Sequence, residues 1–481
     1  MITQMIFDWA RRTPDKAAVV FNGEAYSYRR FAHLIGTARG YFIRRGFTGP
    51  GYAVLAVNNL LDNWILKLAL RSLGMTTVEV RFADGLGLLG LPNVRCVVNS
   101  QLDVWPDLRG KCSELGLPLL SMSFDEGPAV GLEAFEAPHG LGGHILRTSG
   151  TTGNPKMVLM SAEFDVELFR LHVGLFGINQ DSLLCVFDIR TWTGLAYKWA
   201  ASPWSVGGTT LIEQGVDQGV EPHRALLRPG ITHAVHHPSG LAAILAAPAG
   251  AFPRNDAMQL AVGGGPMTQT QVEQVKARIT PRLSTYLAST EAGVIAFTPI
   301  NGAEDQRWHR LLPGRKVEIV DESDRPVPAG EIGRVRVDTA GGPAGYVNDE
   351  TVTREFFKNG FFYPGDLAVI RSDGRMALQG RVTDVINIAG DKFPPAPIEE
   401  RLSELFGISS CLFSMQNDLG EEEVHVVFET TTPIDPERLT AAFNRELSGF
   451  PRVHVHYVAA LPRNHFGKVL RQTVRSQTVA H

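Results

Sequence analysis

Cysteine is scarce in this 481-residue chain: Cys96, Cys112, Cys185 and Cys411 stand far apart, with no Cys-x-x-Cys pair and no histidines at metal-ligand spacing beside them. Neither a disulfide scaffold nor a structural zinc site is expected, and a reducing cytoplasm fits. Charge of one sign is also lacking. Forty-six basic residues face 50 acidic ones, a net charge of −4, so bulk charge points to no nucleic-acid and no membrane partner. Long hydrophobic runs are missing. Stretches such as Leu241 to Ala247 are too short to span a bilayer. Met1 to Arg12 holds no basic segment followed by an apolar core, so no signal peptide is expected. Internal repeats and low-complexity linkers are absent too.

What is present is enough chain, with 44% hydrophobic residues, for two or three domains. Tyr52 to Val57 reads as a strand, Leu61 to Leu73 as a helix stopped at Gly74, and Thr76 to Val80 as a second strand. That β-α-β rhythm predicts a largely parallel α/β sheet. The rhythm returns with a strand at Leu183 to Phe187 and a helix at Thr270 to Ile279. After about residue 310 the pattern changes. Short strands at Lys316 to Val320, Gly333 to Val337 and Leu367 to Arg371 are punctuated by turns, with Ser372-Asp373-Gly374 as a hairpin turn. Beyond Arg381 a smaller α+β unit is predicted. It has helices at Ile398 to Leu405 and Pro436 to Leu447, and strands at Cys411 to Met415, Val424 to Phe428 and Val453 to Val458. The expected architecture is a large N-terminal α/β domain with a β-rich part, residues 1–382, and a small mobile α+β domain, residues 383–481.

The segment richest in chemistry is Thr148-Ser149-Gly150-Thr151-Thr152-Gly153-Asn154-Pro155-Lys156. Its glycines let the backbone approach an anion, its amides and hydroxyls can donate to phosphate oxygens, and Lys156 adds positive charge. It follows the strand-like run His144 to Leu146 and precedes a helix starting near Ser161. It is not a Walker loop, because Gly-x4-Gly-Lys-Ser/Thr does not fit. The string resembles the phosphate loop of the adenylate-forming superfamily, which holds acyl-CoA synthetases, luciferases and nonribosomal peptide adenylation domains. Five further segments resemble that family in order and spacing: Arg11 to Glu24; Ser289-Thr290-Glu291; Gly365-Asp366; Gly380-Arg381 with Gly390-Asp391-Lys392; and Pro462 to Lys468.

The resemblance implies ATP- and Mg²⁺-dependent conversion of a carboxylic acid to an acyl-AMP, followed by thioester formation with coenzyme A. Glu291 would hold Mg²⁺, with Thr290 or Thr151 touching phosphate oxygens. Thr148, Ser149, Gly150, Thr152, Gly153 and Lys156 would cradle the phosphates. Gly264, Gly265, Pro266, Leu287, Ala288 and Ser289 would line the nucleotide. Asp366 would accept from the ribose hydroxyls, and Arg381 would contact ribose or phosphate. Lys468 would reach both the acid's carboxylate and the α-phosphate. The small domain would rotate about residue 383 between half-reactions, where Thr383 replaces the family's usual Asp or Lys.

Other departures are Arg147 and Met157 flanking the loop, Leu287-Ala288 for Tyr-Gly, and Pro364 for the Thr of Thr-Gly-Asp. The acid would lie near Trp192, Gly263 and His237. Trp192 either lines that pocket or sits in the core. Asp188, in Phe187-Asp188-x-x-x-Trp192, either binds a substrate ammonium, as in amino-acid adenylation domains, or caps a helix. An alternative acceptor is an amine or a carrier protein. With no carrier domain after His481, that carrier is expected to be a separate protein.

Overall fold

The structure is a computed structural model. It describes residues 1–80, 91–101, 105–125, 127–132, 140–148, 156–187, 194–215, 218–339, 341–388, 391–417, 422–446, 453–463 and 469–479.

Two mostly parallel sheets dominate the first 300 residues. The six-stranded sheet runs in the order Leu119–Met122, Val94–Ser100, Tyr52–Leu55, Thr76–Glu79, His144–Thr148, Lys156–Met160. The first five strands pair in parallel, and the last folds back antiparallel. The eight-stranded sheet has a parallel centre built from Gln259–Val262, His233–His236, Leu183–Val186 and Thr209–Ile212. Its edges are the antiparallel pairs Leu283–Ser289 with Gly293–Pro299, and Ala17–Phe21 with Glu24–Ser27. A third, antiparallel sheet contains Val317–Val320, Ile332–Asp338, Asp366–Ile370 and Arg375–Arg381. The last two strands join through the expected turn at Gly374, whose φ of +80° suits glycine.

The helix Leu60–Ser72 explains how the two large sheets share one core. Asn59 caps it, accepting from the Asp62 amide at 3.0 Å. All 13 of its residues are buried, including Asp62, Asn63, Lys67 and Arg71. Such a helix needs apolar cover all round and internal partners for its charges. Lys67 pairs with Glu79 at 2.5 Å, and Arg71 pairs with Asp165 at 2.8 Å while donating to the Tyr197 hydroxyl at 2.8 Å. His144 lies 3.3 Å from the same Asp165 carboxylate.

Several buried histidines stay neutral in the folded chain. Burial pushes His144 and His172 down to about 3 and His309 to about 4. In the unfolded chain these rings take up a proton near pH 6.5. Their contribution to stability is therefore complete above about pH 6.5 and is lost as pH falls toward the folded values. The unfolding free energy is expected to drop from pH 7 to pH 5 by up to about 1.4 kcal/mol per pH unit per histidine, and the thermal unfolding midpoint with it. Calorimetry across that range checks it, and a flat profile would contradict it.

The C-terminal α+β domain follows the short turn Val382–Asp384. Its three-stranded sheet has the order Ser410–Gln416, Glu422–Glu429, Val453–Val458, with the last pair parallel. Helices Pro395–Phe406 and Pro436–Glu446 cover one face through Leu402, Ala442 and Phe443, against Leu412, Val424, Val426 and Phe428. Helix Arg471–Val479 packs on the other through Val474. Its first residue, Arg471, donates to Glu399 and lies 3.4 Å from Asp384, next to Thr383. Among the described residues no helix is long and apolar enough to cross a membrane.

Candidate active site

The residues Thr148 and Lys156 face each other at the base of the hairpin that carries the phosphate segment. The sequence pattern predicts a loop running to a helix; the structure inserts the strand Lys156–Met160 first, and Ser161 then caps helix Ala162–Phe176 by accepting from the Phe164 amide at 3.1 Å. Ser149, Gly150, Thr151, Thr152 and Gly153 lie outside the described residues, as do Asp188, Trp192 and Lys468.

The Lys156 ammonium rests 3.2 Å from the centre of the Phe356 ring and 5.1 Å from that of Tyr346. Burial lowers its pKa, while Glu291 and Glu355 pull it up and Arg381 pushes it down. Lys156 thus stands within electrostatic reach of both Glu291 and Arg381.

Glu291 sits in the tight turn between strands Leu283–Ser289 and Gly293–Pro299, where the Ala292 amide donates to Ser289 Oγ at 3.0 Å. Gly293 closes the turn at φ +68°, with Leu168 only 2.7 Å from where a Cβ would stand. The Glu291 carboxylate is buried, and the Tyr346 hydroxyl donates to its Oε1 at 2.9 Å. Among the described residues no Lys or Arg forms an ion pair with it. A buried carboxylate with a neutral donor and no paired cation fits a metal ion, and its oxygen chemistry suits Mg²⁺.

Tyr346 was not found by sequence reasoning. It bridges to Val158 beside the hairpin and is held by its own amide donating to Thr353 Oγ1 at 2.9 Å. Its sole sequence signal is an aromatic after Gly345 and ahead of the Asp349 helix cap. Lys198 was missed as well. Burial pushes it down to about 8 against the pull of Asp165 and Glu291, so it links the buried charge network to this site.

Asp366 and Arg381 are register partners in the third sheet, and Arg381 Nε lies 2.8 Å from Asp366 Oδ1. Arg381 also donates to the Pro364 carbonyl at 2.5 Å. The proline that replaces threonine there keeps the one group this contact needs. The two side chains assigned separately to the nucleotide on sequence grounds therefore bind each other.

The Gly263-Gly264-Gly265-Pro266 turn leaves strand Gln259–Val262, with the Gly263 amide donating to the His236 carbonyl at 3.1 Å. A Cβ on Gly263 would lie 2.3 Å from the Tyr286 ring, so only glycine passes there, and Gly264 takes φ +89°. Leu287 is half-buried against the third sheet's core, Ala288 is exposed, and Thr290 leads into Glu291. The His237 Nδ1 accepts from the Gly240 amide at 3.2 Å and caps helix Pro238–Leu245. His236 is buried and stacked on Phe187.

Residues 144–347, which contain this hairpin, Glu291 and Tyr346, match the family model described as AMP-binding enzyme. The similarity to known proteins extends well beyond that segment. It is 24% identical to a 4-chlorobenzoate–CoA ligase from an Arthrobacter species over 500 aligned residues, covering 98% of this chain and 94% of that one. It is 26% identical to novobiocin biosynthesis protein H of Streptomyces niveus over 469 residues, covering 88% of this chain and 73% of the relative. In fold it is similar to the amide bond synthetase McbA from Marinactinospora thermotolerans, with a TM-score of 0.80, 20% identity and 99% of each chain covered. The chain thus shares with that solved structure a fold of a large N-terminal sheet domain and a small C-terminal α+β domain.

Proposed function

We propose that this protein is an adenylate-forming enzyme, which joins a carboxylic acid to AMP using ATP and Mg²⁺ and then passes the acyl group to coenzyme A with release of AMP. The observation that carries the reading is the convergence of Lys156, Tyr346 and Glu291 at the base of the phosphate hairpin, within electrostatic reach of the Asp366–Arg381 pair. In the first step an oxygen of the acid's carboxylate bonds to the α-phosphorus. The bond from that phosphorus to the bridging oxygen breaks, and its electron pair leaves with pyrophosphate.

Both reactants are anions, so cations must offset their repulsion and preorganised donors must hold the phosphorus in line. Lys156 neutralises phosphate charge, and Thr148 with the hydroxyls of Ser149, Thr151 and Thr152 orients the phosphates. Asp366 accepts from the ribose hydroxyls while Arg381 fixes its orientation. Glu291 would hold Mg²⁺, which supplies charge neutralisation on the phosphates when bound. Lys468 supplies a mobile charge from the small domain, which turns about residue 383 between the two half-reactions. The two working units would then be residues 1–382 and 383–481.

The relatives' names include an aryl acid–CoA ligase, which supports an acid–thiol ligase. The sequence run Phe187-Asp188-x-x-x-Trp192 favours a second reading, in which the acid bears an amine and the acceptor is an amine or a separate carrier protein. Pyrophosphate release over a panel of aryl, alkyl and amino acids, with and without CoA, separates the two. Acid-dependent release with an aryl acid, and an acyl-CoA product once CoA is added, is the expected result. Turnover with an added amine or carrier alone would favour the second reading. Silence across the panel with ATP still bound would overturn both.

A further inference from the structure

The C-terminal sheet carries a cluster that adenylation chemistry does not use. Glu423 and His425 are two residues apart on strand Glu422–Glu429, and His454 and His456 are two apart on strand Val453–Val458. Alternation along a strand puts each pair on one face. The parallel register sets His425 opposite His454 and Val427 opposite His456, so all four share the face away from helices Pro395–Phe406 and Pro436–Glu446. The His425 ring stacks on His454 with centroids 4.5 Å apart and lies 5.3 Å from His456, and Phe413 flanks it at 5.6 Å. His454 Nε2 lies 2.6 Å from Glu423 Oε2, and His425 Nδ1 lies 3.0 Å from His456 Nε2.

We propose that Glu423, His425 and His454, with His456 beside them, form a binding site for one divalent transition-metal ion of the zinc class. One ligand atom from each of the first three already lies within 4.8 Å of the others. Bonds of about 2.0–2.1 Å in a tetrahedral site bring ligand atoms to roughly 3.3 Å of one another, so metal binding requires the stacked His425 and His454 rings to tilt until their lone pairs meet at the ion. Imidazole and carboxylate donors suit zinc. Three features favour binding. His425 is buried among Phe413, His454 and His456, so the sheet already gathers the donors around it. His454, with 32% of its side chain exposed, gives a path from solvent. Glu423 brings negative charge to a place where Arg475, reaching from helix Arg471–Val479, opposes a cation. The site ties two strands on the N-terminal side of the Lys468 segment, and its binding is independent of the proposed adenylation.

The test is equilibrium dialysis of the tag-free full chain against Zn²⁺, with the visible absorption of Co²⁺ as a second probe. One ion per chain is expected, with the intense bands of tetrahedral Co²⁺. His454→Gln should weaken binding by about 100-fold or more, since even outer partners of a metal ligand are worth 10- to 100-fold. His425→Gln, checked for folding by thermal unfolding without metal, should do the same, while Glu291→Gln should leave this binding unchanged. No stoichiometric uptake by the wild-type chain would overturn the proposal. So would uptake by both histidine variants at wild-type affinity, which would make the Glu423–His454 contact an ion pair only.

Discussion

Acyl-adenylate formation by a Lys468→Ala variant is expected to fall by about 10²–10³-fold, the usual cost of deleting one preorganised charge donor from a reacting anion. On the proposed function the loss should fall on turnover rather than on ATP affinity, because a lysine arriving with the small domain would act on the reacting oxygens more than on the resting nucleotide. Exchange of labelled pyrophosphate into ATP reads the first half-reaction by itself. Synthetic acyl-AMP offered with CoA reads the second, which should survive nearly intact. Intact exchange in the variant would remove Lys468 from the first step. Equal damage to both halves would remove the division of labour about residue 383.

Glu291→Gln should cost several kcal/mol of transition-state stabilisation, or about 10²-fold or more in adenylation, and should raise the Mg²⁺ concentration needed for half-maximal rate. Glutamine keeps the size and leaves Tyr346 an acceptor, so the turn between Leu283–Ser289 and Gly293–Pro299 should persist. Tyr346→Phe is the informative companion. It removes the hydroxyl that holds the carboxylate and leaves the charge, so its loss should be much smaller and its Mg²⁺ dependence near that of the wild type. A Glu291→Gln enzyme with an unchanged Mg²⁺ profile would place the metal elsewhere.

The parts of the fold legible in the sequence are those where local pattern and tertiary environment agree. Val453 to Val458 is a strand to the residue. The helix expected at Thr270 to Ile279 runs Gln269–Arg278, shifted by one residue, because Thr268 and Gln271 form a reciprocal cap that pins its start. Lys156 to Met160 was missed as a strand. Its apolar run has little alternation, and the glycines and hydroxyls ahead of it drew the whole stretch into one loop. The buried charges were missed for a different reason. Lys67 and Arg71 on an otherwise apolar helix imply a wet face in any amphipathic reading. Their partners Glu79 and Asp165 come from separate strands and helices that close over that face. In the site, Glu291, Asp366 and Arg381 could be chosen because short motifs surround them. Tyr346 could not, since its bond to Glu291 spans 55 residues and nothing around it repeats a pattern.

The strand Ala17–Phe21 has a partner in the neighbouring Glu24–Ser27, yet its place in the eight-stranded sheet is beside Thr209–Ile212. The bond from the Thr209 hydroxyl to the Ala17 carbonyl joins residues 192 apart. On a ribosome adding 5–20 residues each second, that wait is roughly 10 to 40 s. During that time the apolar strand Ala17–Phe21 has one edge unpaired. Production of this protein in a foreign host therefore depends on how well that strand edge is shielded during translation, and slower growth at lower temperature or added chaperone capacity acts on that interval.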